Sequence, residues 1–321
     1  MNKDKIFEYN RQPEISDWFD TQLDVLIQQG VYHDDISGLG NSLIDSLSDY
    51  KESWGLENIF LGMSGGIDSA LTAALFKEAG WNVTGVTLPI HQDPVETERG
   101  VEACEKLGIN HKQVDLTQAF ESYLEHATQE VDAELYSRDF YKDKDARVRG
   151  GNIRARLRMI TLYNQASLHK GIVGSTDNFS ELAAGFWTLH GDVGDVAPIQ
   201  SLTKSWEIPA LADELGVPES IISAVPTDGL GVANGDEDQF GFSYLEFDIA
   251  MFSLFNEFNL ENLEDKDASI IDSVKQRIGS TIYKRINLLY ISFDLNIHYG
   301  MFKDKYTTCS AASPVETCFT R

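Results

Sequence analysis

Cysteine is scarce in this sequence. The 321 residues contain only Cys104, Cys309 and Cys318, an odd number with no Cys-x-x-Cys pair and no histidine nearby at ligand spacing. This pattern argues against a disulfide framework and against a structural zinc site. Widely spaced free thiols are typical of a reducing compartment, so we expect a cytoplasmic protein.

Long apolar runs are also lacking. The first residues, Met1 to Phe7, have no apolar core of the kind found in a signal peptide. No run approaches the roughly 20 apolar residues that a membrane span requires. We therefore expect a soluble protein with no membrane partner.

Positive charge is in short supply. Only 26 residues are Lys or Arg against 51 Asp or Glu, which gives a net charge of −25. A field of this sign repels nucleic acid, so we expect no nucleic-acid partner. It also repels phosphate compounds, and a site for them needs a local cluster of basic residues. The candidates are Arg154, Arg156, Arg158, Lys204 and Lys284.

No Pro/Gly/Ser-rich linker divides the chain, and 42% of its residues are apolar or aromatic, enough for one large core. Apolar runs at 59–61, 83–88 and 172–173 alternate with helical patterns such as 96–107 and 154–168. This alternation predicts an α/β fold with a doubly wound parallel sheet and additional N- and C-terminal helices. We expect a helical extension over 1–35, a main domain over 36–302 and a C-terminal tail over 303–321.

The most informative segment is Gly-Met-Ser-Gly-Gly-Ile-Asp-Ser, at residues 62–69, between a strand pattern and a helix pattern. Adjacent glycines allow consecutive N–H groups to point into one concavity at the positive end of the helix dipole. Ser64 and Ser69 add hydroxyl donors, and Asp68 adds an oxygen ligand suited to Mg²⁺. The loop lacks the Lys that grips a γ-phosphate, so we expect it to bind pyrophosphate with Mg²⁺. The alternative is a turn into a capped helix.

Two later segments carry further polar residues. Gly-Asn-Ile-Arg-Ala-Arg-Leu-Arg-Met, at 151–159, predicts the opening of a helix whose three arginines point in different directions and serve different partners, unless they are ordinary surface arginines. A short strand pattern at 171–174 is followed by Thr176 and Glu181, where ligands of open α/β sheets bind. Asp177 or Ser180 could also serve as the N-cap of a following helix.

Together these motifs resemble the ammonia-dependent NAD synthetases, which belong to the ATP pyrophosphatase type of adenylating enzyme. The resemblance covers about residues 36–290. It rests on the glycine loop at 64–69, on the segment 151–159 and on Gly174 to Glu181. Five further segments occur in the family's order. The five are Gly185 to Asp192, Ala197 to Lys204, Pro226 to Leu230, Asp236-Glu237, and Gly241 with Tyr244 and Asp248.

The resemblance implies that nicotinic acid adenine dinucleotide (deamido-NAD) is amidated by ammonia, with ATP cleaved to AMP and pyrophosphate through an acyl adenylate. It also implies an ATP site, formed by Gly62, Met63, Ser64, Gly65, Gly66, Ile67, Asp68, Ser69, Thr176, Lys204 and Thr227. Asp68, Lys204 and Thr227 are the implied catalytic residues, and Asp68 and Glu181 the implied Mg²⁺ ligands.

The implied deamido-NAD contacts are Arg156, Asp195, Tyr283 and Lys284. The chain departs from some members at Leu189 and Tyr283, where those members carry Lys and His. Its stretch from Gly191 to Pro198 is also one residue shorter than in some relatives.

The resemblance further implies a homodimer. The residues before the glycine loop are too few for a glutaminase domain, so we expect free ammonia or ammonia from a separate glutaminase. Two different functions stay open beside this one: an adenylating enzyme for another carboxylate or for RNA, and a nucleotide-binding module without catalysis.

Two regions allow more than one interpretation. An apolar stripe in the N-terminal segment, including Ile15, Phe19 and Leu26, is typical of ordinary core, although it could instead be buried between subunits. The charged and Tyr-rich region 119–150 could be a lid or a solvated loop.

Overall fold

Four parallel strands form the sheet at the centre of the computed structural model. They are β1 (Asn58–Gly62), β2 (Asn82–Thr87), β3 (Asn110–Gln113) and β4 (Ile172–Val173), in the order β3-β2-β1-β4. Phe60 pairs with Val173 on one side of β1, and Leu61 pairs with Gly85 on the other. This confirms the expected α/β fold with a parallel sheet. The pattern did not predict β3, because this strand at the end of the sheet is entirely polar.

The structure describes residues 3–12, 14–138, 144–225, 237, 241–256, 260 and 263–285. The helices before β4 are α1 (Lys3–Tyr9), α2 (Asp17–Gln28), α3 (Ile36–Trp54), α4 (Ile67–Glu78), α5 (Pro94–Leu107), α6 (Thr117–Ala127), α7 (Ala133–Tyr136) and α8 (Lys144–Leu168). Those after it are α9 (Phe179–Ala184), α10 (Glu207–Glu214), α11 (Glu219–Ile222), α12 (Tyr244–Phe255), α13 (Asp265–Ser280) and α14 (Ile282–Arg285). In these ranges no helix is both long and apolar enough to cross a membrane.

Helices cover both faces of the sheet. Ile59 and Leu61 of β1 pack in one core with α4, whereas Phe60, between them, packs in another with Met159 and Leu162 of α8. Alternate residues of a strand point to opposite faces, so a strand buried on both sides needs apolar residues at every position. This requirement explains why residues 59–61, just before the glycine loop, are all apolar.

Helices α1 and α2 belong to a further core, separate from the two that cover the sheet. Phe19, Leu23 and Leu26 of α2 are fully buried and pack in one cluster with residues of α12 and α13. Burying each such side chain stabilises the fold by roughly 1.5–3 kcal/mol. The apolar stripe of α2 is therefore ordinary core within this chain.

One local prediction is wrong, and for the region 119–150 the structure excludes one of the two interpretations, the solvated loop, within the described residues. Helix α8 begins at Lys144, so residues 151–159 lie in its middle rather than at its opening. The region 119–150 is largely helical within its described residues, which belong to α6, α7 and α8. Its charges pair across these helices: Asp132 accepts hydrogen bonds from Leu135 N–H at the start of α7 and from Arg149 Nε, at 2.8 Å, in α8. Phe120, Leu135 and Ala146, one from each of these helices, are also buried in one apolar cluster. The charged segment is therefore helical because it has an apolar side to bury.

Residues 1–284 form one compact unit, and residues 285–321 form another. Apart from Arg285, the second unit lies outside the described residues, and so does the predicted tail over 303–321.

Candidate active site

The glycine loop between β1 and α4 leaves the start of the helix without a side-chain cap. Gly66 is the N-cap residue, with extended backbone. The hydroxyls serve the loop itself: Ser64 Oγ accepts from Gly66 N–H at 3.2 Å, and Ser69 Oγ donates to Gly66 O at 2.9 Å. The two serines and Asp68 therefore do not act as the side-chain cap of α4. The first N–H groups of α4 have no cap side chain to which they could donate, an arrangement that favours an anion at this position.

Gly65 allows α5 to pack directly on the loop. Its φ of +86° lies in the left-handed region, and an added Cβ would come within 2.1 Å of the Glu96 carbonyl oxygen and 3.2 Å of Arg99 Cβ. A side chain at position 65 would therefore be strained and would push α5 away from the loop.

A cavity of about 310 Å³ opens over this loop. All eight residues from Gly62 to Ser69 line it, as do Thr176, Glu181 and Lys204. These residues follow β1, follow β4, or lie in the segment before α10, so the carboxyl ends of two neighbouring strands meet here. The structure thus brings together residues of the predicted ATP and metal sites that are up to 142 positions apart in the chain. The remaining ATP-site prediction, Thr227, lies outside the described residues.

Lys204 lies against both predicted metal ligands. Its Nζ donates to Asp68 Oδ2 and lies 3.7 Å from Glu181 Oε1. The other oxygen of Asp68 accepts from Asn178 Nδ2 at 3.0 Å. Asn178 is also the N-cap of α9, where its side-chain oxygen accepts from Glu181 N–H at 2.9 Å. The predicted caps, Asp177 and Ser180, are therefore wrong, and the true cap links the two carboxylate-bearing segments.

Carboxylates outnumber cations in the cavity wall among the described residues. The acidic lining residues are Asp68, Glu96, Asp177, Glu181 and Asp192, and the basic ones are Arg99, Arg158 and Lys204. Burial and the nearby charge of Asp192 raise the pKa of Asp177 to about 7, and burial raises the pKa of Asp192. A polyphosphate entering this cavity would need additional positive charge.

The donor set of this cavity suits Mg²⁺ brought in with a phosphate. The described residues contain no group of three or more His, Cys, Asp or Glu side chains arranged to hold a metal. Mg²⁺ bound together with a nucleotide needs only one or two carboxylates, because phosphate oxygens and water complete its coordination. Asp68 and Glu181 meet this requirement.

The three arginines of α8 have three different environments, as predicted. Arg154 is buried, with its guanidinium carbon 6.0 Å from the centre of the Phe120 ring. Arg156 donates from Nε to Leu189 O at 3.2 Å. Arg158 alone of the three lines the cavity; it donates to Leu88 O at 3.0 Å, and burial lowers its pKa to about 10.

Sequence reasoning missed Arg99, which α5 brings to the cavity. Its Nε is buried, and no hydrogen-bond acceptor reaches it in the described part of the chain. The residue lies beside Gly65, at the loop that starts α4. No motif marks Arg99; the signal that could have found it is its spacing of three residues from Glu96 on a helix, which puts both on the side facing the loop.

The four predicted dinucleotide contacts are not among the described residues that line the cavity. Asp195 accepts from Tyr163 OH at 3.0 Å and from Val173 N–H at 2.8 Å. Lys284 Nζ donates to Gly185 O at 2.7 Å and to Trp187 O at 2.5 Å. Tyr283 is exposed. Arg156 and Lys284 thus both hold the backbone of residues 185–189, which follows α9.

Comparison with known proteins gives consistent matches. The profile of the family described as NAD synthase matches residues 39–287. An NH(3)-dependent NAD(+) synthetase of Methanococcoides burtonii is 34% identical over 258 residues, which cover 78% of this chain and 93% of that protein.

Solved structures match over similar lengths. An NMN synthetase from Francisella tularensis has a TM-score of 0.69 and 28% identity, covering 81% of this chain and 99% of its own. An NH3-dependent NAD synthetase from Campylobacter jejuni, in complex with a nitrate ion, has a TM-score of 0.63 and 27% identity, covering 80% and 100%.

Proposed function

Because the chain belongs to the NAD synthase family, we propose that it makes NAD from deamido-NAD, ammonia and ATP. The observation that carries this proposal is the meeting of Asp68, Glu181 and Lys204 in one cavity with an uncapped helix N-terminus. A ligase that releases pyrophosphate from ATP needs this combination of anion-binding N–H groups, metal ligands and a cation.

The first step activates the carboxylate. An oxygen of the nicotinate carboxylate attacks the α-phosphorus of ATP, the bond to the β-phosphate oxygen breaks, and pyrophosphate leaves with the bonding electrons. The N–H groups at the start of α4 and the two serine hydroxyls are suited to hold the pyrophosphate. Lys204 neutralises phosphate charge, and Asp68 and Glu181 would hold Mg²⁺, which supplies further positive charge when it is bound. Alignment and charge neutralisation, rather than proton transfer, lower this barrier.

The second step forms the amide. Ammonia attacks the carbonyl carbon of the acyl adenylate, AMP leaves, and the nitrogen loses a proton. We propose Arg156, Asp195, Tyr283 and Lys284 as contacts of the dinucleotide and Thr227 as an ATP contact. Support for this group comes from the family resemblance and, for Arg156 and Lys284, from their common hold on residues 185–189.

The remaining proposals concern the setting of the reaction. We propose that residues 36–302 form the catalytic domain, with 1–35 as an extension and 303–321 as a tail. The active form is a cytoplasmic homodimer, and its ammonia is free or comes from a separate glutaminase.

A second candidate is amidation of the mononucleotide. It is favoured by the match to an NMN synthetase, together with Leu189 and Tyr283, which replace a Lys and a His that some family members carry. Losing two polar contacts to one half of the substrate would weaken preference for the larger substrate.

To test these proposals, purified protein is incubated with ATP, Mg²⁺ and ammonium, with deamido-NAD or the nicotinate mononucleotide as substrate in parallel reactions. Equal amounts of AMP and NAD, with slower turnover of the mononucleotide, would support the main proposal. The reverse preference would support the second candidate. ATP binding without AMP formation from either substrate would indicate a different acceptor, such as another carboxylate or RNA, or a nucleotide-binding module without catalysis. Glutamine in place of ammonium tests the nitrogen source.

A further inference from the structure

We propose that Asp248, a fully buried carboxylate on α12, is a positioning residue that holds Lys204 and Glu181 in their working places. This inference rests on the proposed function, because it gives the cavity residues their catalytic roles. Asp248 does not line the cavity. It acts through the backbone on which the cavity residues stand.

Asp248 ties together the two segments that carry Lys204 and Glu181. Its Oδ1 accepts from Ser180 Oγ at 2.6 Å, and its Oδ2 accepts from Ser205 N–H at 3.1 Å. Ser180 Oγ in turn accepts from Lys204 N–H at 2.9 Å. The residue before Glu181 and the residue after Lys204 are therefore joined through one side chain.

The segment of Lys204 is also held from its other side. Thr203 N–H donates to Glu207 Oε2 at 3.1 Å, and Glu207 Oε1 accepts from His33 N–H at 3.0 Å. Tyr32 OH lies 3.2 Å from Ser205 Oγ. Two buried carboxylates thus flank Lys204, and the segment between α2 and α3 contacts one of them, Glu207, and Ser205 beside the other.

The geometry requires this support. Lys204 Nζ reaches both Asp68 and Glu181, so a shift of its backbone would disturb two contacts at once. Catalysis by alignment is sensitive to displacements of about 1 Å, which can cost about a hundredfold in rate. A buried carboxylate is expensive to keep away from water, and its retention at this position fits a specific task.

Three substitutions test the proposal. Asp248→Ala removes both hydrogen bonds. Asp248→Asn keeps an oxygen for Ser205 N–H and presents an amide donor to Ser180 Oγ, so it should restore much of the lost function. Ser180→Ala removes the hydroxyl that joins Asp248 Oδ1 to Lys204 N–H and leaves the bond from Ser205 N–H to Asp248. It keeps the proposal testable if Asp248→Ala does not fold. The matched control is Asp267→Ala. Asp267 lies on α13, is as buried as Asp248 and also accepts a serine hydrogen bond, from Ser16 Oγ at 2.8 Å.

Each variant is assayed for steady-state AMP formation and for hydrogen exchange of the peptide spanning 202–206. We expect kcat to fall about 10- to 100-fold in Asp248→Ala and Ser180→Ala, with KM for ATP changing about threefold or less. Asp248→Asn should lie closer to the parent chain. Exchange over 202–206 should be faster in the impaired variants, whereas Asp267→Ala should change only thermal stability.

Unchanged kcat and unchanged exchange over 202–206 in folded Ser180→Ala, and in Asp248→Ala where it folds, would overturn the proposal. An equal loss of kcat in Asp267→Ala would also overturn it, since the effect would then be general destabilisation. If the parent chain forms no amide at all, the proposed function fails. Hydrogen exchange over 202–206 still decides whether Asp248 holds Lys204, so the two failures are distinguishable.

Discussion

Lys204 donates a hydrogen bond to Asp68 across 136 positions of the sequence. The pair lies at the mouth of the glycine loop, and the Lys204 side chain is only 8% exposed. Opposite charges at hydrogen-bond distance attract each other strongly where little water screens them. The site therefore keeps a cation and an anion ready in a place that excludes most water.

Asp68→Asn should nearly abolish AMP formation while the protein stays folded. The substitution removes a charge that the proposed metal site needs and leaves Lys204 beside a neutral amide. We expect kcat to fall at least about a hundredfold. Circular dichroism and thermal melting check the fold, and Asp49→Asn on the exposed side of α3 is the matched control. A folded Asp68→Asn protein with normal turnover would remove Asp68 from the mechanism.

Gly65→Ala should abolish nucleotide binding, whereas Gly30→Ala should not. Both glycines have positive φ, but a Cβ at Gly65 meets the backbone of α5, and a Cβ at Gly30 meets nothing within 4 Å. Strain alone should lower the free energy of unfolding by about 1 kcal/mol in each variant. Isothermal titration with ATP and Mg²⁺ then compares ATP binding by the two variants. Loss of binding in both would mean that backbone strain, and not contact with α5, abolishes it.

Arg99→Gln should weaken ATP binding. Arg99 lines the cavity beside the loop, and its buried Nε has no acceptor among the residues that the structure describes, so we expect it to bind a phosphate oxygen. Losing one charge-assisted hydrogen bond of this kind costs about 1.5–3 kcal/mol, which corresponds to about a tenfold to hundredfold higher KM for ATP. Lys106→Gln, on the exposed end of the same helix, is the control. Equal KM values for the two variants would count against Arg99.

The stability of the protein should depend on pH through Asp248. Burial raises its pKa from 3.8 to about 7, so the folded state binds this proton more tightly than the unfolded state does. The contribution of Asp248 is therefore most favourable below about pH 4 and is lost as pH rises towards 7, by up to about 4 kcal/mol. Asp248→Asn cannot titrate at this position.

Urea unfolding of the parent chain and of Asp248→Asn, at intervals between pH 4.5 and 7.5, measures this difference. The parent chain should lose stability relative to the variant as pH rises. A constant difference across this range would mean that Asp248 does not take up a proton there.

Parts of the site could be read from the sequence because their chemistry is local. A loop with two glycines, two serines and an aspartate between a strand and a helix has few other uses, and its residues do line the cavity. Thr176 and Glu181 follow from the rule that ligands bind at strand ends. Arg99 has only its helical spacing from Glu96 to mark it, and nothing near Asp248 in the chain indicates what it packs against, so neither residue was assigned a role.

The fold prediction was limited to elements that a local apolar pattern marks. The apolar runs of β1, β2 and β4 predicted a parallel sheet, whereas β3 is polar because its place at the end of the sheet leaves its side chains partly exposed. Helix α8 extends seven residues before Gly151, where Ala146 is buried in a cluster with Phe120 and Leu135 and Arg149 pairs with Asp132. These contacts are made to other helices, so the local pattern did not reveal them.

The sequence by itself determined the class of fold, the anion-binding loop and the family, since each depends on residues close together in the chain. Only the tertiary structure decided how these parts form a site. Lys204 meets Asp68 and Glu181 because β1 and β4 lie side by side in the sheet, and Asp248 reaches Ser180 and Ser205 because α12 packs behind them. Such contacts join residues far apart in the chain, so they depend on packing of the whole unit rather than on local preference.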